Sequence, residues 1–181
     1  MDLNERINIL LQSYEILVKD IRRNDKRIRE LLEKIAKYDI QMMIKLWIDI
    51  IDNRANEIYD SSSLTSGVLY DLKELKGDDF VIELLKNNNK LKTFLFNKSE
   101  DVYHFLINVI LEKKDFTECK EILELIYKNK NKEETFDYYF EEIIGYTKID
   151  EEIAQFAFQW LDKIESQDVR AAITVKLIEF L

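Results

Sequence analysis

The chain contains no proline, and its glycines are limited to Gly67, Gly77 and Gly145. At average usage a chain of 181 residues would carry about nine prolines and a dozen glycines. These two residues are the strongest breakers of regular structure, and sheet proteins need them in their turns. Their near absence predicts an all-α protein. It also removes the glycine-rich loops that cradle phosphates in most nucleotide-binding folds. The apolar fraction, 46%, is ordinary, and a chain of this size builds a core without covalent staples.

Apolar spacing and helix-start residues place the elements. A first helix is expected over 3–21, with Leu3, Ile7, Leu10, Tyr14, Leu17 and Ile21 on one stripe. Asn24 or Asp25 is expected to cap a second, ending near Ala36. Asp39 opens a third that runs to about Tyr59, with Met43, Leu46, Trp47, Ile50, Ile51 and Ile58 inward. The stretch Asp60–Ser63 reads as a loop, followed by shorter helices over 64–75, 79–86 and 90–97. From Ser99 onward the helix starts fall at residues 99, 115, 131, 150 and 166, at separations of 16, 16, 19 and 16. Asp115–Glu118 and Asn131–Glu134 are capping-box patterns. A helix pair every 32 to 35 residues is the period of antiparallel helix-pair arrays. The expected architecture is therefore nine to eleven helices: a bundle-like N-terminal part, then antiparallel pairs stacked as a short α-solenoid. One domain spans 1–181, with a natural subdivision into 1–60 and 64–181.

Two stretches resemble known helical repeats. Lys114-Asp115-Phe116-Thr117-Glu118-Cys119 resembles the turn between the helices of a tetratricopeptide repeat, with Cys119 in the small-residue position. Ile107 stands where that repeat has glycine, and its closing proline is missing. Ser166-Gln167-Asp168-Val169-Arg170-Ala171-Ala172 resembles the start of a HEAT-repeat helix. Each match covers under a tenth of the chain. Together they imply an α-helical repeat architecture without choosing the family.

The chemistry is sparse. His104 is the single histidine and Cys119 the single cysteine, which removes His-based triads, paired-histidine zinc sites and internal disulfides. Glu118-x-x-Glu121 and Glu134-x-x-Asp137 resemble the paired acids of all-α nucleotide pyrophosphohydrolases of the MazG kind. That resemblance implies four carboxylates around Mg²⁺. Against it, acids are abundant here, and these four are expected opposite the apolar stripes of Cys119, Ile122 and Ile126 and of Phe136, Phe140 and Ile143. Arg22, Arg23, Lys26, Arg27 and Arg29 form the single basic cluster, but Asp20, Asp25, Glu30 and Glu33 are interleaved with it. A salt-bridged hairpin tip accounts for that pattern.

Charge carries the functional expectation. Residues 132–181 hold five basic and twelve acidic groups, net −7 of the chain's −9. Such a field repels nucleic acid and anionic membranes and attracts basic partners. Glu141, Glu142, Glu151 and Glu152, with the aromatics Tyr138 and Tyr139, are the expected partner-binding residues. The expectation is a non-catalytic protein-binding module: an adaptor, regulator or inhibitor, such as an immunity protein masking a basic toxin or nuclease. It needs no cofactor. The alternative is the Mg²⁺-dependent nucleotide pyrophosphohydrolase. The apolar end, Leu177, Ile178, Phe180 and Leu181, invites a further helix or a second copy. No apolar run reaches 18 residues, the start lacks a signal-peptide layout and Asp2 replaces a myristoylated glycine. Together these point to a cytoplasmic protein.

Overall fold

Side-chain caps mark the starts of several helices in the computed structural model, which describes residues 2–59, 62–98, 101–113, 116–129, 133–146 and 149–180. The described residues carry eleven α-helices and two short 3-10 segments, and no strand. The fold is all-α, with helices packed against one another in pairs. Helix α1 (Leu3–Leu17) begins at a capping box: Asp2 accepts the Glu5 N–H at 2.8 Å and Glu5 accepts the Asp2 N–H at 2.9 Å. A 3-10 turn over Val18–Asp20 separates it from α2 (Ile21–Ala36). Asp20, rather than Asn24 or Asp25, caps α2 by accepting the Arg23 N–H at 3.3 Å. Asp39 caps α3 (Ile40–Arg54) as expected, but α3 gives way to a 3-10 turn at Ala55–Glu57.

Helices α4 (Ser66–Lys76), α5 (Asp78–Asn87) and α6 (Asn89–Lys98) follow. Gly77 joins α4 to α5 at φ 84° and ψ 171°, a conformation open essentially to glycine alone. Asn88 accepts the Leu91 N–H at 2.9 Å and so starts α6. Then come α7 (Asp101–Lys113), α8 (Phe116–Asn129), α9 (Glu133–Tyr146), α10 (Glu151–Leu161) and α11 (Gln167–Ile178). Asp150 and Ser166 cap the last two, accepting the Ile153 N–H at 2.9 Å and the Val169 N–H at 3.3 Å. The expected caps Ser99, Asp115 and Asn131 lie outside the described residues.

The chain divides into two compact units, Met1–Phe105 and Leu106–Leu181. In the first, α2 packs against α1, α3 and α4, while α3 meets α6 and α5 meets both α4 and α6. The five helices from α2 to α6 thus close a circuit, with α1 attached to α2. Ile28, Leu32 and Ile35 of α2 and Met43, Trp47 and Ile50 of α3 fill its core. Three polar ties hold the register. Trp47 Nε1 donates to the Leu64 carbonyl at 2.8 Å, and the Tyr14 hydroxyl donates to that of Leu46 at 3.0 Å. The Arg29 guanidinium makes two bonds to the Asp71 carboxylate, at 2.8 and 2.7 Å, joining α2 to α4.

The second unit is built on aromatic packing. Phe136 stacks on Phe140 at 5.6 Å between ring centroids, and Trp160 of α10 lies 5.5 Å from Phe136. Helix α11 packs on both α9 and α10. Lys176 of α11 donates to the Ile144 and Gly145 carbonyls at 2.8 and 3.1 Å, near the C-terminal end of α9, where a cation meets the negative end of the helix dipole.

Candidate functional site

Helix α9 buries Phe136, Tyr139, Phe140, Ile143 and Ile144, the positions that recur every three or four residues. Its opposite face presents Tyr138, which is 59% exposed, together with Glu141 and Gly145. Tyr139 is thereby corrected as a partner-binding candidate. It is 4% exposed, because it stands one turn from Phe136 and Ile143 on the apolar face. Its ring meets that of Tyr138 edge-on at 5.3 Å.

Glu151 and Glu152 are exposed in the first turn of α10, where carboxylates suit the positive end of the helix dipole. Glu151 accepts a bond from the Gln155 amide at 3.2 Å. Among the described residues, Glu141 and Glu152 have no ion-pair partner. Glu142 is half-buried, and its Oε2 is enclosed with no hydrogen-bond partner among the described residues. Three of the four expected glutamates are therefore exposed on this unit, Glu151 with the Gln155 amide as its partner, and the fourth is partly withdrawn.

Asp137 behaves differently from its sequence reading. It does not lie opposite the apolar stripe but is 2% exposed. Its Oδ2 accepts the Glu165 N–H at 3.0 Å and the Ser166 N–H at 2.7 Å, at the start of α11. The two backbone donors it meets at the start of α11 explain why a carboxylate is tolerated there. Its Oδ1 is enclosed and makes no hydrogen bond among the described residues. The remaining members of the four-acid pattern, Glu118, Glu121 and Glu134, have side chains outside the described residues. No three His, Cys, Asp or Glu side chains converge on a metal position among the described residues. His104 is exposed on α7.

The basic cluster resolves into separate roles. Arg29 is committed to Asp71. The Asp71 bonds hold the Arg29 guanidinium still more firmly protonated than usual. Arg22 lies over the exposed Tyr59 ring at 5.6 Å, and Arg23 pairs with Asp20 at 3.6 Å. Asp25, an interleaved acid, turns instead to the serine loop, taking Ser62 Oγ at 3.3 Å and the Ser63 N–H at 3.4 Å. Lys26 and Arg27 stay exposed.

No helix among the described residues is long and apolar enough to cross a membrane. Protein-family models, curated proteins and solved structures contain no match to the chain.

Proposed function

We propose that this protein is a non-catalytic protein-binding module, acting as an adaptor, regulator or inhibitor. Its acidic C-terminal unit is the recognition surface, and a protein with a basic face is the partner. An immunity or antagonist protein that masks a basic toxin or nuclease is the concrete form of this reading, at work in the cytoplasm.

The observation that supports it is the exposure of Glu141 one turn from the exposed Tyr138 on α9, together with that of Glu151 and Glu152 at the start of α10. Carboxylates that neutralise no internal cation leave their field available to a partner. An exposed tyrosine adds contact area at low entropic cost.

Affinity capture from the source cell, with wild-type protein and the E141K/E151K/E152K variant run in parallel, tests the reading. The expected result is a basic protein captured by the wild type and lost with the variant. Equal capture by both would overturn it.

A further inference from the structure

The first unit carries a surface of opposite character. A cleft of about 370 Å³ opens between α1 and the C-terminal end of α2, lined by Arg6, Ile9 and Leu10 from one side and Lys34, Lys37 and Tyr38 from the other. Its floor is apolar: Ile9 is 51% exposed and Tyr38 43% exposed. Leu3, 54% exposed, continues the apolar face of α1 one turn before Arg6. Three cations line it. Lys37 is neutralised by Glu33 at 2.6 Å, a pair that lowers the Glu33 carboxyl below its ordinary range and raises the Lys37 ammonium. Arg6 and Lys34 are exposed, and their side chains form no hydrogen bond or ion pair among the described residues.

This arrangement leaves two unneutralised cations beside apolar side chains on an acidic chain. Arg27 stands two turns before Lys34 on the same helix face, about 10 Å away, with the exposed Glu30 between them. Exposed apolar side chains framed by unneutralised cations match a ligand that is itself apolar in the middle and anionic at its flanks. The net charge of −9 opposes a polyanion such as nucleic acid at long range, whereas a short segment with a few carboxylates meets mainly the local cations.

We propose that the α1–α2 cleft docks an acidic, amphipathic segment of a partner protein, with an apolar side chain on Ile9, Leu10 and Tyr38 and carboxylates on Arg6 and Lys34. This cleft belongs to the first unit, and the acidic surface to the second.

The test is fluorescence anisotropy of the intact protein with a labelled Glu-Glu-Leu-Phe-Glu-Glu peptide at low salt. The expected result is saturable binding, weakened at least about tenfold by R6E/K34E and by salt near 0.5 M. Both substituted residues are exposed, and unchanged helical circular dichroism verifies that the variant folds. I9S is the second variant and lowers affinity through the floor alone. Hexaglutamate and Lys-Lys-Leu-Phe-Lys-Lys should each bind at least about tenfold more weakly than the amphipathic acidic peptide. The proposal is overturned if no saturable binding occurs, if R6E/K34E binds like wild type, or if hexaglutamate matches the test peptide. It is equally overturned if a single-stranded oligonucleotide binds the cleft in preference to the peptide.

Discussion

Trp47 shows how a single residue can be read correctly from its spacing and still be incompletely understood. Its place on the third helix's apolar stripe marks it as core, and it is 0% exposed. The bond from its Nε1 to the Leu64 carbonyl joins positions seventeen residues apart, which no local pattern encodes. Truncation to alanine should cost about 3–5 kcal/mol. Trp47→Phe keeps most of the volume but strands the carbonyl, so it should cost about 1–3 kcal/mol in chemical denaturation. Tyr14 makes the analogous bond from α1, and its consequence is pH-dependent. Burial, then the Asp49 charge, pushes its phenol well above the ordinary value, with Arg54 opposing. The neutral phenol is therefore favoured in the folded state. The contribution is fully present below about pH 10 and is lost as pH rises past it, where the unfolded phenol ionises first. Tyr14→Phe should flatten the alkaline limb of a melting-temperature profile; an unchanged limb would assign the loss to other groups.

At the scale of elements, the sequence marks helices by their caps and loses precision where the backbone changes winding. Asp39, Asp150 and Ser166 each cap the helix assigned to them. The second helix starts at Asp20 instead of Asn24 or Asp25, because a 3-10 turn ends α1 early and Asp25 is drawn to Ser62 and Ser63. Asp137 was equally hidden: its partners lie 28 and 29 residues away, at a helix start that has its own serine cap. Asp137→Ala should cost about 1–3 kcal/mol by removing the acceptor of two part-buried amides, and Asp137→Asn, whose amide oxygen still accepts, should cost less. The α2–α4 contact gives a sharper test. A Cβ on Gly67 would sit 2.9 Å from Arg29 Nη1, so alanine there must displace the guanidinium that grips Asp71. With Arg29 present, Gly67→Ala should be neutral or destabilising. With Arg29→Ala it should stabilise by roughly 0.5–1 kcal/mol, the helix preference of alanine over glycine. The same sign in both backgrounds would show that Arg29 yields without cost.

Over the whole molecule, charge segregation was legible by counting, but the roles of individual acids were not. Of the twelve acids in residues 132–181, Asp150 caps a helix and Asp137 is buried as an acceptor, so neither projects freely. Glu141 and Glu152 do project without an ion-pair partner among the described residues, and under the proposed function they are part of the field that a basic protein meets. Long-range attraction of this kind acts before contact, so it changes the rate of encounter more than the lifetime of the complex. Once a partner is in hand, stopped-flow mixing should show an on-rate that falls by about tenfold or more between low salt and roughly 0.5 M salt. E141K/E152K should lower the low-salt on-rate by a comparable factor and leave the off-rate within about twofold. The variant should also lose part of the salt dependence, because two of the charges that salt screens have been reversed. An on-rate indifferent to both salt and substitution would make these acids a solubility feature and place recognition on another surface of the protein.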